Sequence, residues 1–579
     1  MRRNATRSTN TFRLALLFIV MAVFTAACSS GSGSGESGGD TGGAVAPGKE
    51  DAGTPTSGGT IDYGLEAETT DGWCLPEGQL AISGIQVARS IYDTLTVPGK
   101  DGTTFTGMLA ESVTPNDDYT EWTITLRPGI KFHDGTDLTA QVVANNLMAY
   151  RGDYPGRASL LFSFVLGDIV DDTPNDGHVS GITTEGDNVV KVQTSRPWVS
   201  FPSFLYSSGR MGMVAQAQLD AIDCARKLIG TGPFKLDDWR VNSSMKLSRN
   251  EDYWRKDADG TQLPYLDGIT YHPQPEAQQL ANGLQSGELD AFHLSSNTGA
   301  LILEDMRDLS SNGDINLVES DDFAEVGNLM LNTTKPPFDN ATAREAVALA
   351  INREESNEIL SDNIPVLADG PFAPGALGYL EDTGFKSSDA ATAKDLVQQY
   401  ETETGLPFEF EITSGQDTQL AKQIDLAKQY FEEAGMTVRI TNLEQSALIQ
   451  KAIEKGYQMI TWRNYPGFDP DNLYVWWYDA SKNPVNFPGF NDPEVNDLLD
   501  RGRTTPDEAE RKTIYEDLNR ELNKEHYFLW TSWTLWAIPM AKDVHGVVGA
   551  RPVDGALDGS DDYTGLAVGH DPAFLWKES

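Results

Sequence analysis

The sequence predicts an α/β protein of several structural units, and three observations carry that reading. Between residues 408 and 462, strand and helix patterns alternate as β-α-β-α-β. Elsewhere strands and helices are mixed, with no fixed repeat period. The chain has 579 residues, of which 39% are hydrophobic and 54 are glycine. That is ordinary globular composition, and the length corresponds to roughly three to four units. A disordered, collagen-like or polytopic membrane chain is excluded for most of its length, and 12 Trp, 23 Phe and 19 Tyr supply material for a large core.

Residues 58–64 open the folded part as a strand, and residues 86–95 read as a helix. Glu121-Trp122-Thr123-Ile124-Thr125-Leu126 alternates strictly, the pattern of a half-buried strand. A turn at Pro128-Gly129 leads to a short strand at 130–132, a second turn at Asp134-Gly135 and a helix over 138–148. Further on come a strand at 408–412, a helix at 419–434 with Gly435 as its cap, and a strand at 437–440. A helix at 445–455, stopped by Gly456, and a strand at 458–462 complete the run. Such an order predicts a parallel sheet with right-handed crossovers. Ligands of open α/β sheets lie beyond the carboxyl ends of the strands, which brings Trp462-Arg463-Asn464-Tyr465 to a cleft. Core packing is the alternative for Trp462, and it is favoured for Trp476-Trp477-Tyr478. Arg463 is the sharper candidate, because a guanidinium there offers five fixed donors to a carboxylate or carbonyl.

The amino terminus reads as an address and an anchor. Arg2, Arg3, Arg7 and Arg13 precede an uncharged run over 14–27, too short to span ~30 Å of hydrocarbon, so residues 1–27 form a signal peptide. Thr25-Ala26-Ala27-Cys28 resembles a bacterial lipobox, although Thr25 stands where Leu is usual; plain secretory cleavage is the alternative. Residues 28–57, rich in Gly and Ser, read as a flexible tether. Gly43 to Lys49 has phosphate-loop spacing, but Glu50 follows and no strand precedes, so the match is accidental. Cys74 and Cys224 remain, an even pair that in an exported chain suggests a disulfide, with two separate buried thiols as the alternative.

Charge narrows the function. There are 44 Lys+Arg against 86 Asp+Glu, a formal charge of −42, which argues against nucleic acid or an anionic bilayer as partner and for a solvated, self-repelling surface. The seven His are scattered, with none at zinc-ligand spacing. No nucleophile elbow, His-Glu-x-x-His or Cys-x-x-Cys is present in the body. The paired acids Asp469 and Asp471 could serve a hydrolase, but nothing else supports one, so the reading is a non-enzyme without cofactor or metal.

Five separated motifs resemble one family in order. They are Ile91-Tyr92-Asp93-Thr94-Leu95; Leu126-Arg127-Pro128-Gly129-Ile130-Lys131-Phe132-His133-Asp134-Gly135-Thr136; Gly230-Thr231-Gly232-Pro233-Phe234 with Arg249-Asn250-Glu251-Asp252-Tyr253-Trp254; Leu284-Gln285-Ser286-Gly287-Glu288-Leu289-Asp290; and Asn332-Thr333-Thr334-Lys335-Pro336-Pro337-Phe338-Asp339. The chain is identified on them as similar to the extracytoplasmic solute-binding proteins of ABC importers, family 5, the oligopeptide, dipeptide and nickel type.

That resemblance implies a hinged, two-lobed, periplasmic-binding-protein-like fold of type II. Lobe I would be 58–328, with a subdomain inserted at about 97–228; lobe II would be 329–537; 538–579 would return to lobe I. Crossings between lobes would fall near Leu329 and Ala537. The protein would be a monomer, held outside the cell membrane only by its lipid, and would hand a peptide-like solute to an ABC permease and ATPase. A metal chelate or oligosaccharide, or a sensor or cell-wall role without transport, are the alternatives. Ligand contacts would fall at Gln79, Ala81 and Ile82 on one lobe, facing Trp462, Arg463, Asn464, Tyr465 and Asp469 on the other. Peptide-binding relatives place an Asp for the α-amine shortly before the Asp-Pro, where this chain has Pro466 or Tyr465, and the arginine expected near Ser414 is also missing. The expectation is therefore a longer peptide held by its backbone, or a solute without an α-amine.

Overall fold

Two large sheets organise the chain, and two short links join them. The computed structural model describes residues 44–45, 53–68, 72–78, 80–99, 104–159, 161–174, 178–322, 325–548, 566 and 570–578. The signal segment, Cys28, most of the tether and Gln79 lie outside the described residues.

The first sheet has eight strands. Its centre is Thr60–Leu65, whose inward side chains Ile61 and Tyr63 are buried, paired in parallel with Gly268–Pro273 and Ala291–Phe292. The second has six strands: Val326–Leu331 lies between Phe528–Trp533 and Met459–Asn464, both antiparallel to it. Glu409–Gly415 pairs in parallel with both Met459–Asn464 and Thr437–Leu443. The expected β-α-β-α-β unit is thus parallel within itself, but the sheet is mixed because antiparallel strands from elsewhere in the chain complete it.

Ile315–Ser320 belongs to the first sheet and Val326–Leu331 to the second; the return runs from Phe528–Trp533 to Trp536–Ala541. The two links lie side by side, with the Thr534 amide donating to the Glu325 carbonyl at 2.8 Å. A smaller sheet of four strands, built from Ala110–Pro115, Glu121–Leu126, Val189–Gln193 and Ile182–Glu185, carries the helix Ala140–Arg151.

Most elements form for local reasons. Asp417 accepts from the Leu420 amide at 2.8 Å and starts the helix Thr418–Glu433, which Gly435 follows at φ 100°. Two expectations need correction. The first helix runs over Ile82–Ile91, not 86–95, because Tyr92 is already extended. There Gly230 comes so close that a Cβ would stand 1.9 Å from the Ile91 carbonyl oxygen, and the Gly232 amide donates to that same oxygen at 2.9 Å. The strand at 130–132 is only an isolated Lys131 to Asp137 bridge, since the turn at Asp134-Gly135 brings the chain back after too few residues to extend it.

Cys74 and Cys224 form a disulfide, with Cα atoms 5.1 Å apart. It fastens the segment before the first helix to the 221–225 turn, where the Trp73 amide donates to the Ala225 carbonyl at 3.0 Å. The carboxyl end forms a separate two-stranded sheet and packs beside the first one. Trp576–Lys577 pairs with Val544–His545, and Arg255 holds the buried Asp571 at 2.7 Å. His570 meets the Tyr63 hydroxyl at 3.1 Å, and burial drives its pKa down to about 3, so this ring packs uncharged.

Away from the links, a polar network joins residues 163–204 to residues 468–504. Arg503 is fully buried; its Nε donates to Asp471 at 3.1 Å and its Nη1 to Asp168 at 2.8 Å. Asp471 also accepts from Trp198 Nε1 at 2.9 Å and Ser200 Oγ at 2.5 Å. The Arg503 guanidinium lies 3.7 Å from the Tyr474 ring centre, and Phe164 stacks against Tyr474 and Tyr478.

Candidate functional site

A cavity of about 720 Å³ lies between the two large sheets, and both contribute to its wall. Ala81 and Ile82 line it at the start of the first helix, and Trp462, Arg463, Asn464 and Tyr465 line it at the carboxyl end of Met459–Asn464. The structure therefore brings together six of the residues singled out in the sequence. Asp469 does not line it. Its carboxylate is bound by Arg511, at 3.0 Å from Nη1 and 2.7 Å from Nη2, and caps the turn that follows through the Asp471 amide at 2.9 Å.

Arg463 stands at the centre. Gly327 is its cross-strand partner, and a side chain at 327 would meet Thr531 Oγ1 at 2.6 Å. Its Nη1 donates to Ser295 Oγ at 3.2 Å and lies 3.6 Å from Glu325; Nη2 lies 3.8 Å from Glu66. The guanidinium also sits 5.5 Å from the Trp536 ring centre. Burial alone would weaken its charge, but Glu325, Glu66 and Asp417 outweigh that and raise its pKa. Because Ser295 and Glu66 belong to the first sheet's side, Arg463 bridges the cavity.

Glu66 follows the first strand. Its Oε1 accepts from the Ser295 amide at 2.8 Å and from Thr298 Oγ1 at 2.5 Å, at the start of the helix Ser296–Ser311, where an anion is favoured. Its Oε2 is buried without a hydrogen bond, as is Glu325 Oε2. Glu325 lies in the first link, and burial raises its carboxyl pKa, with Glu66 adding to the effect. Asp417, the cap of Thr418–Glu433, has a pKa pushed up to about 6, first by burial and then by Glu66 and Glu276. Arg210 reaches the cavity from the other side, donating to the Leu80 carbonyl from Nε at 3.2 Å and Nη2 at 3.1 Å; burial lowers its pKa to about 10.

Aromatic groups supply an apolar wall. Trp462 and Trp476 both line the cavity and both pack against Phe487, at 5.6 and 6.1 Å between ring centres. Trp477 is a core residue, but Trp476, grouped with it in the sequence reading, is part of the site. Glu66, Glu325, Asp417, Arg210 and Trp476 were missed as site residues. Only Asp417 carries a sequence signal, an Asp directly before a helical pattern, and that signal reports a cap rather than a cavity.

A cavity between two sheets joined by a pair of adjacent links makes a two-lobed α/β fold. The model of the bacterial extracellular solute-binding proteins, family 5 (middle), matches residues 104–485, about two thirds of the chain. The chain belongs to this family. It is 27% identical over 447 residues to the glutathione-binding protein GsiB of Shigella dysenteriae serotype 1, covering 74% of this chain and 80% of that one. Among solved structures, the periplasmic binding protein DppA of Helicobacter pylori, in complex with the peptide STSA, superposes with a TM-score of 0.75 at 21% identity, over 90% of this chain and 99% of that one. The binding protein AgaA of A. tumefaciens R10, in complex with agropinic acid, does so with a TM-score of 0.75 at 25% identity and the same coverage. These relatives are solute-binding proteins, not enzymes. No helix among the described residues is long and apolar enough to cross a membrane.

Proposed function

We propose that this protein is the substrate-binding subunit of an ABC importer, anchored outside the cell membrane through Cys28, which captures a peptide-like solute between its lobes and delivers it to a permease and ATPase. The observation that carries this reading is the cavity of about 720 Å³ walled by both lobes, with Arg463 reaching from one to Ser295 and Glu66 of the other. Its ligand wall comprises Ala81 and Ile82 facing Trp462, Arg463, Asn464 and Tyr465, with Gln79 nearby in sequence. Relatives that bind glutathione, a peptide and agropinic acid support a small solute bearing amide or carboxylate groups. The lobe crossings expected near Leu329 and Ala537 are supported in outline by the change of sheet after Ser320 and after Trp533, and we take the neighbouring Glu325 and Thr534 as part of the hinge.

A solute engulfed between lobes must enter an open form, so ligand shifts an equilibrium toward closure. Native mass spectrometry of the mature protein is expected to find a bound peptide-like solute. Stripping that solute is expected to increase the radius of gyration in small-angle scattering; superimposable profiles with and without it would sink the hinged mechanism. The anchor is tested separately. Cys28→Ser is expected to move the protein from the membrane to the soluble fraction, and unchanged membrane retention would exclude Cys28 as the lipid site.

A further inference from the structure

We infer that the contact between residues 163–200 and residues 471–503 is a reversible latch, which holds the two lobes closed without touching the solute. This rests on the two-lobed, hinged reading and names the device that sets how firmly the lobes stay shut.

The segment inserted in the first lobe is attached in two different ways. Toward the first sheet it is fastened by the Cys74–Cys224 disulfide and by backbone bonds: the Met213 amide donates to the Asp93 carbonyl at 2.9 Å, and the Trp73 amide to the Ala225 carbonyl at 3.0 Å. Toward residues 471–503, the Val199 amide donates to the Arg503 carbonyl at 3.0 Å, and side chains make the contact around it. When the lobes part, this second attachment yields, because the first is covalent.

The charges are divided so that it can yield. Arg196 grips Asp168 of its own segment, from Nε at 3.0 Å and Nη2 at 2.8 Å, and reaches across to Asp500 and to the Tyr474 hydroxyl, the latter at 2.6 Å. Arg503 holds Asp471 of its own segment at 3.1 Å and reaches across to Asp168 at 2.8 Å. Trp198 Nε1 and Ser200 Oγ cross the other way, to Asp471, at 2.9 and 2.5 Å. Breaking every crossing bond therefore leaves two ion pairs intact, Arg196 with Asp168 and Arg503 with Asp471. A buried network is costly to open when a charge is stranded, and here separation strands none. Phe164, with its ring centre 5.8 Å from that of Tyr474, adds an apolar contact across the same seam.

None of these residues lines the cavity. The latch thus favours closure by the same amount whatever solute lies between the lobes, and it populates a closed form before any solute arrives.

Hydrogen exchange of the mature, solute-stripped protein tests this, read by mass spectrometry on the peptides that carry the Val199 and Met213 amides. Protection of Val199 is expected to be about tenfold lower than that of Met213, since opening the latch frees one and not the other. S200A and D500A, one from each side, each remove a crossing bond and spare both own-side pairs. Each should speed Val199 exchange about threefold or more and leave Met213 unchanged, whereas a variant that merely weakened the fold would move both. Unchanged Val199 exchange in both variants would overturn the latch. Small-angle scattering with and without the co-purified solute separates the latch from the hinge. If stripping expands the protein but Val199 is as protected as Met213, the inserted segment travels with the second lobe; the latch is then overturned and the hinge stands. Fast Val199 exchange without expansion is local fraying, and overturns both.

Discussion

Replacing Arg503 with alanine is expected to cost about 3–5 kcal/mol of stability, the cost of stranding buried anions by removing one partner. Arg503 is completely buried; Asp471, also fully buried, and the more accessible Asp168 both depend on it. Asp471 would keep Trp198 Nε1 and Ser200 Oγ as donors, and Asp168 would keep Arg196 at 2.8 Å, so the loss falls short of a naked charge. Arg503→Lys is expected to recover little, because an ammonium cannot fork between Asp471 and Asp168 while staying over the Tyr474 ring. Urea denaturation measures both. Exchanging both members of the pair for apolar residues, Arg503→Met with Asp471→Leu, should cost less than the sum of the single changes, since neither charge is then left alone. Additive losses, or an Arg503→Ala loss under about 1 kcal/mol, would mean the network is not coupled as its geometry requires.

Removing the disulfide is the second large effect. Cys74 and Cys224 are 150 residues apart, and the chain-entropy model assigns such a closure about 5 kcal/mol, with measured removals usually between about 2 and 5. Cys74→Ser with Cys224→Ser avoids leaving one reactive thiol, and should lower the unfolding free energy by about 2–5 kcal/mol. The effect should extend to binding. The segment it fastens leads directly to Leu80, whose carbonyl accepts from Arg210, and to Ala81 and Ile82 in the cavity wall. A double variant that unfolds at the same urea concentration as the parent would refute the stabilising role.

What the sequence by itself determined is whatever depends on neighbours a few residues away. Strict alternation gave Glu121–Leu126 to the residue, and helical spacing over 419–434 with a Gly after it gave Thr418–Glu433 within a residue at each end. The carboxyl end of Met459–Asn464 was legible as the edge of a cleft because a β-α-β-α-β order fixes where one must open, and Trp462, Arg463, Asn464 and Tyr465 do line the cavity. Legibility stops where one residue type serves two ends. Asp469 looked like a ligand contact and is Arg511's partner; Trp476 looked like core and is a cavity wall. Only the tertiary structure decided that Glu66, Glu325, Asp417 and Arg463 converge, since they lie at the end of a strand, in a link, at a helix cap and on a strand of the other sheet. Each is locally an ordinary polar residue at an element's edge. Their meeting depends on how the two sheets pack against each other, with Glu325 and Thr534 hydrogen-bonded side by side between them, a long-range arrangement that no local period encodes.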